Sequence, residues 1–74
     1  MTAQEWVRTF AEEVGAQAPS QDQVDEILRL AAVAAHSSER IAAPIACWVA
    51  GTTGRPLPEL REVAERLSAE NEPS

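Results

Sequence analysis

Lysine is absent from this chain, cysteine and histidine each occur once, and only three aromatic residues are present: Trp6, Phe10 and Trp48. Each shortage excludes something. Nucleic-acid binding draws most of its affinity from clustered cations that neutralise phosphates. Here six arginines, at 8, 29, 40, 55, 61 and 66, are scattered against twelve acids, for a net charge of −6 and a pI near 4.5. Nucleic acid is therefore not an expected partner. A single Cys47 cannot close an internal disulfide, and one His with one Cys gives no zinc-ligand spacing. Its apolar neighbours, Ala46 and Trp48, predict a buried thiol. Charge is missing from Ile41 to Ala50. Ten residues interrupted by Pro44 are too few to span a bilayer, so no membrane is expected. The opening MTAQEWVRTF lacks a basic stretch followed by an apolar one, which does not fit a signal peptide and leads to a cytoplasmic expectation.

Catalytic patterns are missing too. His36-Ser37-Ser38 places a base beside hydroxyls, but sequence neighbours seldom meet in triad geometry, and no third group is identifiable. Gly51-Thr52-Thr53-Gly54 has neither the preceding strand nor the Gly-Lys-Ser/Thr of a phosphate loop, and reads as a helix end. Ser20-Gln21-Asp22 does not supply the Asp-Ser-Leu of acyl carrier proteins. The chain is expected to be no enzyme and to carry no cofactor or metal.

What is present is helix grammar. With 74 residues and 45% hydrophobic content, the chain is expected to form one domain over 1–70, with 71–74 as a frayed tail. Thr2-Ala3-Gln4-Glu5 has the form of a capping box. Behind it Trp6, Val7, Phe10 and Val14 recur at helical spacing, and Gly15 supplies a left-handed stop. Ala16 to Pro19 connects to a second capping box, Ser20 to Gln23, with Asp22, Asp25 and Glu26 at the positive end of the dipole. Val24, Ile27, Leu28, Ala31 and Ala35 trace the apolar stripe of a helix running to His36. A turn over Ser37 to Ala42 and a third helix from about Ala43 to Thr53 follow, because Pro44 suits a first turn. A kinked helix continuous from Ser38 is the competing arrangement. Arg55-Pro56-Leu57-Pro58 makes a stiff turn into a fourth helix with Leu60, Val63, Ala64 and Leu67 on one face. Glu62 and Arg66 are spaced to pair on it.

No segment reads as a strand. The fold class is all-α, a compact bundle of four short helices. The uncharged third helix should lie at its centre, because a helix apolar all round must be surrounded. Ala46 and Ala50 on it, and Ala31 and Ala35 on the second helix, would allow close approach of the two backbones. Trp6, Phe10, Leu28, Pro44 and Trp48 are the expected structural core, and Trp48→Ala is expected to unfold the domain.

His36, Arg40, Ala42-Ala43-Pro44-Ile45, Trp48 and Gly51 together resemble a pattern: His-x3-Arg-x-Ala-Ala-Pro-Leu, then an aromatic, a small residue and Gly. It is the pattern of a small helical family of GC-rich bacteria, the domain of unknown function 6457. Glu5-Trp6-Val7 and the acidic start of helix two are similar as well, so the resemblance covers roughly residues 2–54. Ile41, where proline is expected often, and Ile45, in place of leucine, depart from it. Some members of that family sit behind a molybdenum cofactor guanylyltransferase domain. The resemblance therefore implies a context in molybdenum cofactor biosynthesis and no defined activity.

The functional expectation is a non-catalytic protein-binding module, with a molybdenum cofactor pathway enzyme as partner and the edge His36–Arg40, joined by Arg55, as its contact surface. In a second reading these three residues bind an anionic ligand such as a nucleotide or pterin phosphate. A third is a homodimer through Trp6 and the first helix. The structural alternative for His36 is a cap on the carbonyl end of helix two, with Arg40 paired to Glu39 or another acid.

Overall fold

The computed structural model describes residues 1–71. Its elements are four helices: α1 (Ala3–Val14), α2 (Gln21–Ser37), α3 (Ala42–Thr53) and α4 (Leu57–Glu70). No strand occurs among the described residues. The ends are set by local chemistry. Thr2 Oγ1 accepts from the Glu5 amide at 3.1 Å, but the reciprocal half of the box is not made, so α1 has a simple N-cap. Ser20 and Gln23 complete theirs, with bonds of 3.2 and 2.8 Å. Gly15 at φ 75° and Gly54 at φ 70° take the left-handed positions that end α1 and α3. α2 extends one residue beyond His36, and α3 begins one residue before Ala43. Residues 38–41 form the turn between them, so α2 and α3 are separate helices. The Glu62–Arg66 pair is not formed; Arg66 instead reaches one turn on, to Glu70 at 3.2 Å. Of the expected frayed tail, Asn71 caps α4 by donating to the Leu67 carbonyl at 2.8 Å, and 72–74 lie outside the described residues.

Packing within the bundle is uneven. α2 is the central element, with α3 on one side and α4 on another; beyond these two pairs no helices share more than a marginal approach. The α2–α3 seam uses the small side chains: Ala50 is buried, and Ala31, Ala35, Ala42 and Ala46 are half-buried. The α2–α4 seam is fastened by polar groups. Arg61, its side chain only 15% exposed, donates to Glu26 at 2.9 Å and to Glu65 at 3.3 Å. Ser37 donates to Ser68 at 2.7 Å. Leu30, 6% exposed, is the only large apolar side chain that is buried among the described residues.

The expected core is corrected at every position. Trp6 is 56% exposed, Phe10 52%, Leu28 61% and Trp48 72%, and Pro44 is exposed as well. The uncharged run is a surface helix with one alanine-lined face turned inward, and its Ile41, Ile45, Trp48 and Val49 stand outside. Cys47 is half-buried, and its partial burial raises the thiol pKa, which suppresses thiolate reactivity. The reason lies in size. α3 approaches α2 through alanines, and alanine brings backbones so close that bulky residues must take the opposite face.

Hydrogen bonding to Arg61 holds the Glu26 carboxyl below its ordinary value of 4.5, with further help from the Arg61 and Arg29 charges. A carboxylate depressed on folding stabilises the folded chain above its unfolded pKa, and that contribution is lost as pH falls through the lower folded value. The thermal midpoint should therefore begin to drop as pH passes below about 4.5. Glu26→Gln should flatten that part of the pH–midpoint curve.

Candidate interaction surface

Helical geometry divides α3 into two faces. At 100° per residue, Ala42, Ala46 and Ala50 fall on one side, the side that α2 covers. Ile41, Ile45, Trp48 and Thr52 fall on the other, in a stripe with Val49 at its edge. None of these five is covered by the chain's own helices. The stripe is uncharged along its length. Thr52 satisfies its hydroxyl locally, donating to the Val49 carbonyl at 2.6 Å, and Thr53 does the same to Ala50 at 2.8 Å. That is the helix-end role read for Gly51 to Gly54.

α1 carries a second stripe. Trp6, Phe10 and Val14 follow one another at intervals of four, with Val7 beside them. Trp6 and Phe10 stack with ring centroids 5.2 Å apart and planes 14° from parallel. Only Ala11 is buried on this helix. Gln4 Nε2 donates to Gln21 Oε1 at 3.3 Å, tying the first turn of α1 to the first turn of α2. The connection 15–20 therefore doubles back alongside α1. The longest dimension of the molecule is 45 Å.

The three cationic residues of the predicted contact edge are not brought together. His36 lies in the last turn of α2 and Arg40 in the turn that follows, both exposed. Arg55 lies at the opposite end of α3, about 18 Å away along a twelve-residue helix. There it is ion-paired to Glu59 in a cleft with Asp22 and Asp25. The capping role assigned to His36 falls to Ser38, whose Oγ donates to the Ala34 carbonyl at 2.9 Å. Among the described residues Arg40 makes no ion pair, with Glu39 or any other acid. His36 does border a groove of about 510 Å³ between α2 and the facing ends of α3 and α4, floored by Leu30 and Ala34 and edged by Leu67. No three His, Cys, Asp or Glu residues gather as a metal site among the described residues, and no helix there is long and apolar enough to cross a membrane.

The α3 stripe escaped the sequence reading as a surface because an apolar helix looks alike whether its own chain or another covers it. One signal was available: Ile41, Ile45, Trp48 and Thr52 share a face from which every alanine is missing.

Gly51 sits inside α3 with open space where a Cβ would stand. Gly51→Ala should raise the unfolding free energy by about 0.5–1 kcal/mol, read by chemical denaturation.

The protein-family comparison matches residues 1–72 to the domain of unknown function DUF6457. Neither the curated proteins nor the solved structures hold a match to this chain.

Proposed function

The chain belongs to the DUF6457 family, and on that footing we propose that it is a non-catalytic protein-binding module that docks through the outward stripes of α3 and α1. The observation that carries this reading is Trp48, 72% exposed in the middle of a helix with no charge. A contiguous patch of large apolar residues on a small protein marks an interaction site, and tryptophan is the residue most enriched among binding hot spots. The resemblance to chains that follow a molybdenum cofactor guanylyltransferase domain makes that enzyme the larger partner to test, in the cytoplasm. The groove beside His36 offers a second contact for such a partner.

The anionic-ligand reading has less behind it. With Arg55 engaged by Glu59 at the far end of α3, only His36 and Arg40 remain, both solvated, in a chain of net charge −6.

Trp6 and Trp48 are the only tryptophans, so their emission reports on docking directly. Titrating the purified guanylyltransferase domain into chain dilute enough to be monomeric should shift that emission to the blue, and Ile45→Asp should abolish the shift while leaving the helical circular dichroism intact. Tryptophans that stay solvent-exposed at every concentration, with and without that domain, would remove the basis of the proposal.

A further inference from the structure

We infer that a second copy of this chain occupies the two stripes, each protomer's α1 lying antiparallel on the outward face of the other's α3. This rests on the reading of the stripes as a protein-docking surface and names the protein that fills it. Surface area supplies the first argument. A compact monomer of 8.0 kDa exposes about 4,500 Å² by the usual size scaling, whereas this chain exposes 5791 Å². Its radius of gyration is 13.4 Å, against about 11 Å for a compact domain of this length. The chain therefore carries roughly 1,300 Å² more surface than a finished monomer would.

The stripes account for much of that excess. At 150–250 Å² per aromatic side chain, the exposed parts of Trp6, Phe10 and Trp48 amount to roughly 350 Å². Val7, Val14, Ile41, Ile45 and Val49 add a similar amount, roughly. The total, roughly 700 Å², is close to the ~800 Å² that each partner contributes to a standard interface. Either stripe alone falls well short of it, so the reciprocal arrangement, in which both are covered at once, is the one that reaches a stable size.

Shape and charge agree. α1 and α3 each have twelve residues, about 18 Å of helix. Laid antiparallel, Val14 meets Ile41, Phe10 meets Ile45, and Trp6 with Val7 meets Trp48 and Val49. That register places Glu13, at the edge of the α1 stripe, beside Arg40 at the head of α3. Neither forms an ion pair within its own chain among the described residues. Within one chain α1 makes at most a marginal approach to α3, so its stripe is left for another partner.

Sedimentation equilibrium of the full chain tests this. The expected mass is twice the 8.0 kDa of one chain, with tryptophan emission that moves to the red as the dimer is diluted apart. Trp48→Glu and Ile45→Asp should each yield helical monomers, since neither side chain is interior. Arg40→Glu should weaken the dimer roughly three- to tenfold, counting the rim pair twice by symmetry, and adding Glu13→Arg should restore it. A dimer indifferent to Trp48→Glu and Ile45→Asp would overturn the assigned face. So would a monomer with emission blue-shifted at all concentrations, because α1 would then have closed on its own α3. A monomer that forms a one-to-one complex with the guanylyltransferase domain would overturn the second copy while leaving the docking surface in place. A monomer that binds nothing and keeps both tryptophans solvated would overturn both.

Discussion

Leu30→Ala should cost about 2–5 kcal/mol of unfolding free energy, the range for emptying an interior leucine site. Chains of this length have about 4–11 kcal/mol in all, so the variant loses a large share of its stability. Leu30 is 6% exposed on the central helix, at the floor of the space where α2, α3 and α4 come together. No neighbouring large side chain is buried deeply enough to take over its contacts, because the α2–α3 seam is made of alanines. Denaturation followed by circular dichroism should show the midpoint fall sharply. The sequence reading expects Trp48→Ala to unfold the domain; the structure reverses that expectation. With 72% of Trp48 in solvent, dilute Trp48→Ala should melt within a few degrees of wild type. At high protein concentration the two should separate, as self-association stabilises only the chain that has the stripe. Equal effects of Leu30→Ala and Trp48→Ala at low concentration would mean that α3 is turned the other way.

The contrast between these residues shows what the sequence can and cannot convey. Helix limits were legible because their causes are local. Ser20 with Gln23, Gly15, Gly54 and the Pro56-Leu57-Pro58 corner each act within a few residues, and every element stands within a residue or two of its expected bounds. The alanine seam was legible as well, from Ala31 and Ala35 facing Ala46 and Ala50. The core was not, because periodicity identifies an apolar face without saying whose atoms cover it. α3 is as apolar as an interior helix and α1 carries an apolar stripe like that of a core-facing helix, and only the three-dimensional arrangement places their large residues outside. Pairing of charges across helices was illegible for a related reason. Arg61 finds Glu26, 35 residues away, while Arg66 declines the acid four residues before it for the one four residues after. The contact edge failed in part. His36 lies in the last turn of α2 and Arg40 in the turn that follows, whereas Arg55 depends on the direction of α3, which carries it to the other end.

Trp6→Ala should weaken self-association by roughly a thousandfold. A tryptophan in the middle of an interface commonly contributes 2 kcal/mol or more on truncation. Two-fold symmetry counts that loss twice, and about 4 kcal/mol corresponds to a factor near a thousand. The same change should hardly disturb the isolated chain. Within one copy Trp6 is 56% exposed and touches mainly Phe10, so its loss there removes an aromatic pair worth about 0.5–1.5 kcal/mol, and alanine favours the helix. Sedimentation should therefore give a monomer, while circular dichroism at low concentration stays close to wild type. Trp48 remains as the reporter, and its emission should become independent of concentration. The size of the effect separates reciprocal exchange from simpler association. If α3 stripes met each other directly, Trp6 would lie outside the contact and the dimer would survive its removal. An interface that needs Trp6 and Trp48 together, on helices that share at most a marginal approach within one chain, is the result expected when α1 crosses to the other copy.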